Sequence, residues 1–398
     1  MLILPPLYTF PSFNMFSTPL LVLVLQGLLF GFLLLVRYIK KKNISDALLA
    51  CILLITCYHR TTYTIGFMDW YDTYRNTKIN YYLISLALIL APLLFFYVKS
   101  VTTADFKFRK QDIVHFFPWI LFLMTKIAIL GYDMNQPGFE STQNGPAVLN
   151  IQWEYVDPIM TLLSAAQMLL YLAFTFQLFY NYRKKIKEYF SNTYQLELNW
   201  IRNFLYVYTF IFIYGIVQLF INEFITELSW KQKWWLQFSS ALIVLYVGIK
   251  GYFTNTLQLT SLNFEPNYEG KHSKNNDINE ELSTEILKKK IVLQKYFAEE
   301  KPYLNPNLNL SELAKNLQMN RSELSELINV GFEQNFNDFV NSFRVKEFKE
   351  RIENGAHKQL SLLGIAYDSG FNSKATFNRV FKKITHSSPT QFLHSISK

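Results

Sequence analysis

Seven apolar stretches fill the first two thirds of the chain and limit its fold more than any other feature. They lie near residues 16–38, 44–66, 79–101, 112–132, 156–181, 201–222 and 234–254. Each is about 20 residues or a little longer, enough to cross a hydrocarbon core of ~30 Å as a helix. In such a core each backbone N–H and C=O must be satisfied within its own segment, so helices are the expected form. The first stretch is too long for the apolar part of a signal peptide, lacks a small-x-small exit and ends in a basic cluster. It is read as a retained span.

Lysines and arginines orient the bundle. With the N-terminus outside, the cytoplasmic ends carry Arg37 with Lys40, Lys41 and Lys42, then Lys99 with Lys107, Arg109 and Lys110. Arg183 with Lys184, Lys185, Lys187 and Arg202 follows, and Lys250 ends the seventh span. The outer half carries Arg60, Arg75, Lys78, Lys126, Lys231 and Lys233, fewer than half as many. The basic side stays in the cytoplasm. The expectation is a multi-pass protein of the cytoplasmic (inner) membrane, lipid around it, N-terminus outside and C-terminus inside. Trp70, Trp153, Trp230, Trp234 and Trp235 fall in or beside outer loops, where an interfacial aromatic belt is the default.

Half of the residues are hydrophobic and only 17% are charged, yet mean hydropathy is just +0.08, the average of an apolar part and a polar one. The change comes after Phe253. Residues 255–277, with Pro266, Gly270 and several Asn, read as a polar linker, and from 278 apolar residues recur at helical spacing. The expected organisation is all-α: a seven-span transmembrane helix bundle over 1–254, a linker over 255–277, and a soluble helical domain over 278–398.

Residues 310–328 and 362–384 share one local grammar. Each opens with a short helix carrying a small residue (Ala314, Ala366), turns, and begins a second helix with polar residues. Gly370 suits a left-handed turn and Ser373 can cap the helix after it. Phe377, Phe381 and Ile384, at i, i+4 and i+7, are expected in the core. Lys374, Thr376, Asn378, Arg379 and Lys382 fall largely on other faces, where donors can reach base edges and cations can reach phosphates.

On these residues the stretch 302–393 resembles the DNA-binding domain of AraC-type transcription regulators. The matches are Leu313-Ala314, Phe339 with Arg344-Val345, and Gly370-Phe371-Asn372-Ser373. They continue through Phe377, Arg379-Val380-Phe381-Lys382 and Ser388-Pro389 with Phe392. The resemblance implies two helix-turn-helix units joined by a long helix near 336–353, reading successive major-groove segments of double-stranded DNA. Carried over by position, Lys374, Thr376, Asn378 and Arg379 are base-contact candidates in the second unit, and Ser322 and Ser325 in the first. Two positions depart from the pattern. Gln318 stands where the family often has a turn glycine, so that turn is expected to be strained, and Glu326 stands where a basic residue often faces DNA. Residues 278–339 carry net charge −3 and 340–398 carry +6, so the second unit is expected to dominate affinity. Seven spans followed by this domain also resemble a class of bacterial membrane-bound regulators.

The helix near 280–300 has an apolar stripe of Ile286, Leu287, Ile291, Leu293, Tyr296 and Phe297. It either pairs two chains into a homodimer or is the domain's first packed helix. In the bundle, His59, Arg60 and Lys126 lie toward outer span ends, the first two near Asp69 and Asp72. They suggest a pocket for a small-molecule or membrane signal, but interhelical hydrogen bonds explain any one of them as well. Cys51 and Cys57 are ~9 Å apart along a helix, too far for a disulfide. No spacing of Cys and His suits a metal, and no phosphate loop, nucleophile elbow or H-E-x-x-H suggests an enzyme or a cofactor. The reading is a membrane-tethered, sequence-specific transcription regulator coupling a signal to gene expression. The alternative is a membrane receptor or transporter whose C-terminal domain binds protein.

Overall fold

A computed structural model describes residues 10–74, 78–103, 106–194, 196–254 and 280–396. The linker expected at 255–277, Arg75 and the side chain of Asp72 lie outside the described residues. Among those residues the fold is all-helical, with one isolated antiparallel bridge between Phe190 and Asn309. They form two compact units. One comprises the described residues of 1–179 and 199–264, the other those of 180–198 and 265–398. The second unit thus takes in the described residues of 180–198, which the apolar pattern alone assigns to the bundle.

Among the described residues seven helical segments are long and apolar enough to cross a membrane: Ser17–Lys41, Ile44–Gly66, Ile79–Thr102, Lys110–Met134, Val148–Tyr189, Asn199–Phe224 and Trp230–Phe253. Their continuous α-helices are α1 (Ser17–Lys41), α2 (Ile44–Gly66), α3 (Ala87–Thr102), α4 (Phe117–Met134), α5 (Asp157–Tyr189), α6 (Asn199–Phe224) and α7 (Trp230–Phe253). Helix α5 runs beyond the expected end of the fifth span and carries the chain into the second unit. Helices α1, α2 and α7 meet at Gly27, where a Cβ would stand 2.4 Å from Cys57 Sγ and 2.5 Å from Val244 Cγ1. Arg37 ties the same three helices together, pairing with Asp46 at 2.6 Å and donating to the Gly251 carbonyl at 3.0 Å. Outward faces are apolar, as at Leu25, Leu29 and Phe32 of α1 and Phe210 of α6. Both cysteines are free, Cys57 buried and Cys51 exposed.

The third span is broken between Ile79–Tyr82 and α3, and the break explains the polar residues nearby. Backbone groups freed inside an apolar bundle need partners. The Ile84 N–H donates to the Tyr58 hydroxyl at 3.0 Å and the Leu86 N–H to His59 Nε2 at 3.0 Å. Lys126 Nζ donates to the Asn80 carbonyl at 2.6 Å and to Gln152 Oε1 at 3.0 Å. Arg60 donates instead to Gln237 on α7. For His59, Arg60 and Lys126 the alternative of hydrogen bonds within the bundle thus has its partners in the structure. These hydrogen bonds repair the break and join helices, and none of them links Lys126 to His59 or Arg60.

The second unit contains α8 (Glu280–Glu299), α9 (Leu310–Asn316), α10 (Arg321–Gly331), α11 (Phe336–Glu353), α12 (Leu362–Asp368), α13 (Lys374–Thr385) and α14 (Pro389–Ile396). It has two cores. Leu293, Phe297, Leu313, Leu324 and Phe339 belong to the first. Phe348, Ile365, Phe371, Phe377 and Phe381 belong to the second. Helix α11 supplies Phe339 to one and Phe348 to the other, which is how one long helix spaces two reading modules. Helix α8 packs into the first core through Leu293 and Phe297, which are fully buried, while Leu287, Ile291 and Val292 remain exposed.

Candidate nucleic-acid interface

The two units close their turns in the same way. In the first, the Met319 N–H bonds the Ala314 carbonyl at 2.9 Å, and in the second the Phe371 N–H bonds the Ala366 carbonyl at 3.1 Å. Each is the six-residue closure of a helix whose next residue turns left-handed. That residue is Gln318 at φ 54° in the first unit and Gly370 at φ 92° in the second. The strain expected at Gln318 is present, because an L residue there crowds its Cβ against backbone. Asn320 then caps α10 by accepting from the Ser322 N–H at 3.0 Å, and Ser373 caps α13 by accepting from the Thr376 N–H at 3.4 Å.

These caps aim the first turns of α10 and α13 outward. On α13, Phe377, Val380 and Phe381 are buried, and Lys374, Asn378, Arg379 and Lys382 are exposed on the opposite side. Lys374, Asn378 and Lys382 stand four residues apart and so form one row, with Arg379 beside it. Two expectations are corrected. Thr376 is 4% exposed, turned inward by its place beside Phe377, and cannot reach a base without repacking. Ile384 is 41% exposed, because the last turn of α13 passes beyond the second core. On α10, Ser322 is exposed, whereas Ser325 is half-buried and accepts from Asn329 Nδ2 at 3.3 Å. Glu326 is exposed on the same helix, an acidic side chain where phosphate attraction would want a base.

Behind the interface, Arg344 of α11 is 1% exposed and makes five hydrogen bonds, all to neutral oxygens. They include the Tyr303 carbonyl at 2.8 Å, the Asn305 carbonyl at 2.8 Å and the Ser191 hydroxyl at 3.0 Å. Burial pushes its pKa down to about 9. Three residues further along the same helix, Glu347 accepts from Lys301 at 3.0 Å, Tyr303 at 2.9 Å and Arg351 at 2.9 Å. Burial raises the Glu347 carboxyl, but those three donors outweigh it and hold the pKa below the ordinary value. Burial, joined by the same carboxylate, pushes the Tyr303 phenol up.

Sequence reasoning missed the contacts of residues 189–197. Arg321, first residue of α10, lies over the Tyr189 ring at 5.1 Å, and Glu197 pairs with Arg379 at 3.1 Å. No local pattern announces a pairing between residues so far apart in the chain.

Residues 313–395 match a family model described as "Helix-turn-helix domain". The C-terminal part of the chain is a helix-turn-helix domain of the AraC type. Similar curated proteins are HTH-type transcriptional regulators, themselves named as uncharacterized, from Staphylococcus aureus. Those of strains COL and MSSA476 are each 30% identical over 90 residues, 23% of this chain. The chain spans only 12% of the length of those relatives. No solved structure matches.

Proposed function

We propose that this chain is a membrane-embedded, sequence-specific DNA-binding transcription regulator that couples a membrane or external signal to gene expression. The observation that carries the reading is the exposed row of Lys374, Asn378 and Lys382 with Arg379, on the second helix of a helix-turn-helix unit. Lysine and arginine supply phosphate contacts, while Asn and Arg can each read a base edge with two hydrogen bonds. Ser322 of α10 would add contacts from the first unit, and Lys382 would hold the backbone. The names of the similar staphylococcal proteins support the same role.

Seven apolar helices with lipid-suited outer faces support insertion in the cytoplasmic membrane, and a DNA-reading domain needs its C-terminus inside. The domain boundaries proposed are the bundle within 1–254, a linker over 255–277 and the reader over 278–398, joined by the segment 180–198. The exposed Leu287, Ile291 and Val292 of α8 offer an apolar strip on which a second copy would pair. Pairing would raise the effective concentration of the second reader at a two-part site.

The test is duplex binding by the full chain in detergent micelles, measured across salt concentrations. Binding should fall as salt rises, since displaced counterions drive phosphate contact. Arg379→Ala should cost about 1–3 kcal/mol at the preferred sequence and relax one position. Affinity untouched by Arg379→Ala in a folded chain, or binding indifferent to salt, would favour a protein-binding domain instead.

A further inference from the structure

Residues 189–198 join the fifth and sixth apolar helices in sequence, yet they belong to the same compact unit as the reader. Their docking is built. Ser191 donates from its N–H and hydroxyl to the Leu308 carbonyl, at 3.2 Å and 2.6 Å. Asn337 Nδ2 donates to the Phe190 carbonyl at 3.2 Å and the Ser191 carbonyl at 2.8 Å. Arg344 grips Ser191 at both its carbonyl and its hydroxyl, at 3.2 Å and 3.0 Å. Phe190 also pairs antiparallel with Asn309, the cap of α9. The segment therefore lies against the long helix and the first helix-turn-helix unit mainly through hydrogen bonds, with Tyr189 its apolar contact.

From that seat it reaches both reading helices. Tyr189 lies under the Arg321 guanidinium at the start of α10, and Glu197 pairs with Arg379 of α13. Glu197 is only 4% exposed, and it is fixed from behind by the Thr193 hydroxyl at 2.9 Å and by Arg183 at 3.2 Å. A carboxylate held there engages Nη2 of the guanidinium that DNA would need. The Nη2 group that pairs with Glu197 and the charge it carries are shared with that carboxylate, so a guanine edge or phosphate must compete for them.

We infer that residues 189–198 form an inhibitory strap that competes with DNA for Arg321 and Arg379, and whose release switches the reader on. The inference rests on the DNA-reading function proposed above. The strap begins where α5 ends and stops where α6 starts, so a displacement of those helices pulls on it directly. The signal then needs no path through residues 255–277. It acts by withdrawing a competing carboxylate and its neighbouring ring, and the polar character of the seat suits a contact that must be made and broken.

The experiment uses the full chain in detergent micelles and a fluorescent random-sequence duplex, with affinity read by anisotropy at low and moderate salt. Glu197→Gln keeps the shape but removes the charge, and should bind at least threefold tighter than wild type. In a chain with Cys51→Ser and Cys57→Ser, Phe190→Cys with Asn309→Cys places two thiols on residues paired antiparallel, within disulfide reach. Oxidised, with the strap locked, this chain should bind at least tenfold more weakly than the same protein reduced; the lost Asn309 cap is common to both states. Equal affinity of oxidised, reduced and Glu197→Gln forms, each salt-sensitive, would overturn the strap and leave DNA reading standing. Tighter binding when locked would overturn it too, since the segment would then complete the reading surface. Absence of binding by every form at low salt would overturn the DNA-reading function itself.

Discussion

Replacing Gly370 by alanine isolates the tightest point of the reader. The residue sits at φ 92°, and a Cβ there would lie 2.2 Å from the Tyr303 carbonyl oxygen and 3.0 Å from both Arg344 Nε and Leu304 Cα. Two effects add. An L side chain in the left-handed region costs about 1–2 kcal/mol, part of which is offset by a less flexible unfolded chain. The close approach adds about 1–3 kcal/mol of overpacking, because the carbonyl is backbone and is already held by Arg344. The total expected is about 2–5 kcal/mol. Gly355 is the internal control: its φ is 85°, but a Cβ there would meet nothing nearer than 3.9 Å. Gly355→Ala should therefore cost no more than about 1–1.5 kcal/mol, the strain alone. Amide hydrogen exchange on the full chain in micelles reads the opening free energy of α11 and α13 without requiring the whole protein to unfold in one step. If Gly370→Ala lowers protection no more than Gly355→Ala does, the close approach to Tyr303 does not hold the two modules together and the reasoning is wrong.

Other outcomes follow from the same structure. Gln318→Gly should stabilise the first unit by up to about 1 kcal/mol, relief of left-handed strain outweighing added chain entropy; a loss of protection in α9 and α10 would contradict the strain. Glu347 has a folded pKa below its unfolded one, so its contribution is complete above the ordinary glutamate range and is lost as pH falls through the folded value. Protection of α11 should thus drop on acidification, and Glu347→Gln should weaken that dependence; an unchanged pH profile would remove Glu347 from the account. A reporter fused after Lys250 should behave as cytoplasmic and one inserted near Asn144 as external, and finding both on one side would refute the seven-span arrangement.

Much of this protein was legible in its residues. The seven apolar runs predicted helices because each is long enough to cross a hydrocarbon core, where backbone groups would have no other partners. The long joining helix, the turn at Gly370, the cap at Ser373 and the strain at Gln318 could be read because each depends on a few adjacent residues and on backbone sterics. Exposure of Lys374, Asn378, Arg379 and Lys382 followed from helical period, though period alone misplaced Thr376 and Ile384, whose burial depends on where the core begins and stops. Tertiary structure alone decided the rest. Which backbone groups His59 and Lys126 satisfy depends on the break before α3, which no local pattern in the sequence announces. Ser191, Asn337 and Arg344 meet although they are far apart in the chain, and so do Glu197 and Arg379. Such pairings leave no period and no spacing in the sequence: the energy of a buried hydrogen bond or ion pair depends on which groups the folded chain brings together, and neighbours in space need not be neighbours in the chain.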